Sequence, residues 1–168
     1  MITKKQGGLA VLEFTIVSTV LFIALFAIIE LSRLVFSLQM LNEVTRKSAR
    51  LATVCLVTEV DKITSASSVT GIAPSGFRSE MLKVDYLSSE GVVLYSGTGA
   101  ISDETFKDIA FVRARVEDFS YTLSLLTSIL GSAVEMPSFE TILPSESLGI
   151  YRPLTDEPDS APDNPDCL

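Results

Sequence analysis

One carboxylate, Glu13, lies where a carboxylate is costly. Glu13 and Glu30 are the only charges in the run Leu9 to Leu31. On insertion scales an acid at the centre of a membrane helix costs roughly 2.5–3.5 kcal/mol, so such a group is usually functional or paired. Other reactive side chains are scarce. The chain has no histidine, which excludes Ser-His-Asp and Cys-His nucleophile systems and removes the commonest zinc ligand. Its two cysteines, Cys55 and Cys167, cannot build a four-thiolate metal site. The expectation is therefore a protein that is not an enzyme and uses no cofactor or metal.

The element that must hold these acids is a helix. From residue 9 to residue 31 there is no basic side chain. At 1.5 Å per residue that run spans roughly 35 Å, enough to cross a hydrocarbon core with some tilt. Glu30 is expected at the far interface, where a carboxylate costs little, and Glu13 about one turn from the near end. Lys4 and Lys5 precede the run, which favours a cytoplasmic N-terminus. The whole chain of 168 residues carries a net charge of −8, unevenly spread. Residues 1–50 hold six basic and three acidic side chains, leaving seven basic and 18 acidic for the rest. So acidic a remainder repels phosphate backbones, which argues against nucleic-acid binding.

A cleaved secretory signal peptide fits poorly, because the apolar run is long, carries an acid and lacks a persuasive small-x-small site. A plain uncleaved anchor explains the hydrophobicity and leaves Glu13 without a reason. A third pattern supplies one. Lys4 and Lys5, then Gly7-Gly8, then an apolar helix with Glu13 as the fifth residue after Gly8, resemble the type IV prepilin signal. The resemblance implies cleavage between Gly8 and Leu9 by a prepilin peptidase on the cytoplasmic side. A glycine backbone enters a protease cleft easily in an extended form. Cleavage would make Leu9 the new terminus, with an α-amine of reference pKa about 8. That cation and the Glu13 carboxylate, a turn apart or on adjacent subunits, neutralise each other, and the helix dipole favours an acid in the first turn.

The dipeptide Glu13-Phe14 narrows the resemblance to the tight-adherence (Tad/Flp) branch, and in particular to its TadE/TadF-like minor pilins. The stretch Arg46-Lys47-Ser48-Ala49-Arg50 is similar to the Ala/Arg-rich segment of TadE-like proteins, with Ser48 in place of the usual glycine. In such proteins the fifth-position acid sets subunit register, which implies that role for Glu13 and Phe14.

Beyond the apolar run the spacing of Leu34, Leu38, Leu41, Thr45, Ser48, Ala52 and Cys55 continues a helical stripe, and no Pro or Gly interrupts residues 9–70. One helix is expected to reach about Val57, with Arg46, Lys47 and Arg50 pairing with the acidic domain that follows. Past residue 60 the pattern turns to Ser, Thr and Gly with β-formers. Segments 82–87 and 91–97 read as a hairpin around Ser88-Ser89-Glu90, 110–121 alternates, 122–131 reads as a short helix or loop, and 138–143 is a last strand. The expected fold is α+β: a long N-terminal helix, half transmembrane and half exported, packed on a small antiparallel head. The Pro/Asp-rich tail should be poorly ordered by composition. The boundaries read as leader 1–8, transmembrane helix 9–31, exported helix 32–57, head 58–151 and tail 152–168.

In this topology both cysteines face an oxidising compartment. A Cys55–Cys167 bridge would tie tail to helix, contributing about 4–5 kcal/mol on the loop-entropy model; the alternative is a small buried Cys55 and an unpaired Cys167. The functional expectation is a minor pilin or pseudopilin of a Tad pilus. Its implied partners are the prepilin peptidase, other minor pilins, the major Flp pilin and the inner-membrane assembly platform. It would span the inner membrane once and later enter an extracellular pilus. A type II secretion pseudopilin and an unprocessed bitopic anchor presenting a periplasmic binding domain are the alternatives. The acidic tail lacks the loop spacing of a calcium site.

Overall fold

The computed structural model describes residues 7–97, 99–123 and 133–150. One helix, α1, runs from Gly7 to Val54. It starts at the glycines and ends three residues before Val57. Neither glycine nor proline stops it. Its last carbonyls are taken by a distant segment: Leu148 N–H donates to Thr53 O (3.0 Å) and Gly149 N–H to Val54 O (2.9 Å). Gly149 has φ +82, and a Cβ there would lie 2.7 Å from Leu56 backbone atoms. Only a glycine brings that segment close enough to cap the helix.

Short elements follow. A 3₁₀ turn covers Val57–Glu59, and α2 (Val60–Ser65) and α3 (Ser67–Thr70) come next. The sequence pattern did not suggest these helices, though Val60, Ile63 and Val69 bury their side chains. Then come β1 (Leu82–Leu87), β2 (Val93–Tyr95), α4 (Asp103–Lys107) and β3 (Phe111–Val116). Helix α4 is also new, and its signals are local. Ser102 accepts the Thr105 N–H as N-cap, Asp103 and Glu104 lie in the first turn, and Lys107 lies in the last.

The expected strand over 110–121 divides in two. Backbone at Asp118, φ +56, separates β3 from β4 (Ser120–Thr122). Strand β5 (Ala133–Glu135) pairs with β4 in a two-stranded sheet, and β6 (Phe139–Pro144) closes the series. The main sheet has the order β2-β1-β3-β6, antiparallel throughout. The expected hairpin is present, with β2 shorter than 91–97. Most of the 122–131 segment and all of the tail 152–168 lie outside the described residues.

The chain divides into two compact units, Met1–Phe36 with Tyr121–Val134 and Ser37–Ser120 with Glu135–Leu168. In the second, α1 packs on the sheet. Leu41, Val44, Thr45, Ser48, Ala49, Ala52 and Thr53 are buried at helical spacing, as are Leu82, Val84, Tyr86, Val112, Ala114 and Val116 on alternate strand positions. The expected stripe is therefore buried from Leu41 onward, while Leu34 and Leu38 are half-buried. Its small side chains let strand and helix approach closely enough for a Thr141 to Thr45 hydroxyl bond of 3.1 Å.

Candidate functional site

From Leu9 to Ile29, α1 presents mostly apolar side chains all round. Leu9 is 72% exposed and Phe14 73%. This stretch is long and apolar enough to cross a membrane, and its most apolar window is not buried within the protein. A helix apolar on every face is suited to lipid or to neighbouring helices, not to water. Its hydroxyls need neither water nor a partner chain. Thr15 bonds Val11 O at 2.8 Å, Thr19 bonds Thr15 O at 2.7 Å and Ser32 bonds Ile28 O at 2.8 Å. Donors satisfied within their own helix are what a hydrocarbon environment requires.

Glu13 is the exception on this surface. It is exposed and has no ion-pair partner among the described residues. Leu9 is four residues before it, one turn along the same face. Gly8 lies in the first turn of α1, and a Cβ built there would meet nothing within 4 Å. Packing among the described residues therefore does not require glycine at this position.

Glu30 overturns the expectation of a carboxylate resting at an interface. It is only 2% exposed, and the Tyr121 hydroxyl donates to its Oε1 at 3.2 Å. Burial, then the Glu30 charge and its hydrogen bond, push the Tyr121 hydroxyl above its ordinary range, against an opposing effect from Arg33. Ninety-one positions separate Tyr121 from Glu30, so no local spacing could have announced the pair.

The basic residues of α1 also differ from expectation. Arg46 lies 3.7 Å from Glu43 on its own helix, and Lys47 donates to Ser68 O at 3.3 Å; among the described residues neither pairs with an acid of the head. Cys55 is fully buried, and there is no free cysteine among the described residues. Cys167 lies outside the described residues.

The head carries one concentrated set of charges, on the sheet face opposite α1. Asp85, 4% exposed, accepts from Arg113 Nη2 at 2.7 Å and lies 3.1 Å from Arg115 Nε, while Arg115 reaches Glu117 at 2.5 Å. Two acids and two guanidinium groups balance one another. A groove of about 640 Å³ beside them is walled by Asp61, Ser65, Glu80 and Lys83. No group of His, Cys, Asp and Glu suited to a metal ion occurs among the described residues. This network links β1 to β3 across one face of the sheet.

Among the described residues, one helix long and apolar enough to cross a membrane, together with a small antiparallel head, fits a single-pass membrane protein. Residues 8–50 match the family model described as TadE-like protein. Over that segment, which coincides with nearly all of α1, the chain is similar to TadE-like proteins. No curated protein and no solved structure matches it.

Proposed function

We propose that this chain is a minor pilin of a Tad (Flp) pilus, a structural subunit and not an enzyme. The observation that carries the reading is Glu13: an exposed carboxylate with no ion-pair partner among the described residues, one turn from Leu9 in the apolar part of the helix that matches the TadE-like model. Prepilin peptidase cuts between Gly8 and Leu9 on the cytoplasmic face of the inner membrane. The open space around Gly8 supports this, since the fold itself leaves room for a side chain there. The Leu9 amine so released is cationic at neutral pH and pairs with Glu13 of the same or an adjacent subunit. An isolated charge in lipid is thereby neutralised, and the pairing fixes how far one helix slides along another. Phe14 and its apolar neighbours pack on the helices of other minor pilins and the major Flp pilin. The head is exported and makes the lateral or tip contacts.

The test has two parts. Sequencing the mature N-terminus should give Leu9; an intact Met1 points to a plain membrane anchor. Glu13→Gln keeps shape and removes charge, and should reduce incorporation into pili about tenfold or more, since 1.4 kcal/mol is already a factor of ten. Wild-type incorporation of that variant would defeat the register mechanism.

A further inference from the structure

Among the described residues the four-stranded sheet has two open edges, and they complement each other. Every neighbouring pair in β2-β1-β3-β6 is antiparallel, so the edge strands β6 and β2 run in opposite directions. Ser145 N–H donates to Ala110 O, which fixes the phase of the ladder. Phe139, Thr141 and Leu143 turn their backbone groups toward β3, while Glu140 and Ile142 turn theirs outward. Those outward N–H and C=O groups have no partner among the described residues.

An open edge is a template for another strand, and proteins commonly blunt it with charge or proline. In β6 the charge, Glu140, and the proline, Pro144, lie near the ends. Ile142 holds the middle at 49% exposure. Phe111 is also exposed on β3, and at the opposite edge Val92 and Val93 are exposed.

We infer that β6 pairs with the β2 edge of a second copy of this chain set beside the first, extending one antiparallel sheet across subunits. A copy displaced sideways without being turned over brings β2 against β6 in the antiparallel sense. Charge favours the match: residues 92–96 carry none, and Glu140 already has Arg115 as its neighbour across β3 and β6. The competing arrangement, β6 on β6, requires a twofold axis normal to the sheet. That axis reverses the part of α1 lying on the sheet, and two copies anchored through α1 in one membrane share a single sense. Side-by-side repetition leaves an edge open at each end, so it propagates instead of closing. The inference depends on α1 spanning a membrane and is independent of cleavage after Gly8.

Full-length chains in their membrane provide the test. One tagged copy carries Ile142→Cys and a differently tagged copy Val93→Cys, and a short bifunctional thiol reagent joins them; the parent chain sets the background from Cys55 and Cys167. A copy with Glu104→Cys, exposed on α4, reports random collision with Val93→Cys. The 142-to-93 product should exceed the 104-to-93 product several-fold and dominate over 142-to-142. A yield no greater than collision, or a predominance of 142-to-142, would overturn the inference.

Discussion

Tyr86 should be better as phenylalanine. Its ring is fully buried on the helix-facing side of β1, 6.0 Å from the Tyr95 ring, and its hydroxyl has no hydrogen-bond partner among the described residues. An unsatisfied buried polar group costs about 1–3 kcal/mol. Tyr86→Phe removes that cost and keeps the ring. The oxygen leaves a small void, and at about 24 cal/mol per Å³ such a void returns only a few tenths of a kcal/mol. The expected result is stabilisation by about 1 kcal/mol, a rise of about 4–8 °C in the melting temperature of a domain this size. The assay is urea unfolding of the full chain in detergent, followed by near-ultraviolet circular dichroism, with the slope unchanged. Alkali gives a second readout. Burial first, and then the neighbouring Tyr95, raise the Tyr86 hydroxyl above its ordinary value. The folded state thus holds a proton that the unfolded chain releases near pH 10, and stability falls as pH climbs beyond that point. Tyr86→Phe should lessen this fall without abolishing it, because the Tyr121 hydroxyl is raised too. Destabilisation by more than about 1 kcal/mol would refute the reasoning and show that the hydroxyl is satisfied.

Two other substitutions probe the head. Asp85→Ala leaves Arg113 and Arg115 without their shared carboxylate; their side chains are 21% and 33% exposed. Breaking a fully buried pair costs about 3–5 kcal/mol, and the solvent reached by these guanidinium groups lowers this to about 2 kcal/mol. The denaturation midpoint at neutral pH reads it. At Gly97, φ is +81 and a Cβ would come within 2.6 Å of the Val60 side chain, whereas Gly91, also at φ +81, has open space. Gly97→Ala should cost about 2–3 kcal/mol and Gly91→Ala about 1, which paired thermal melts can separate.

The length of α1 was legible because its apolar run and its stripe at three- and four-residue spacing are local signals. The same holds for β1 and β3, where alternation is regular. Helices α2, α3 and α4 were missed: they are short, rich in Ser and Thr, and two of the three lack a side-chain cap. The end of α1 was misplaced for a different reason. Its stop signal is Gly149, nearly a hundred positions away in the chain.

The candidate site divides along the same line. Glu13, Phe14, Gly8 and Leu9 are neighbours in sequence, so a helix alone brings them within one or two turns, and the residue order suffices to propose their chemistry. Sequence position already set Glu30, near the far end of the apolar run, apart from Glu13. Its burial was not legible, because folding places it against Tyr121 and leaves Glu13 exposed. Likewise Asp85 gives no hint of its two arginines until β1 and β3 align. Sequence determines what depends on local backbone period, namely the spanning helix and the acid near its start. Burial, pairing of charges and the open edge of β6 depend on which distant segments meet, and only the folded chain decides that.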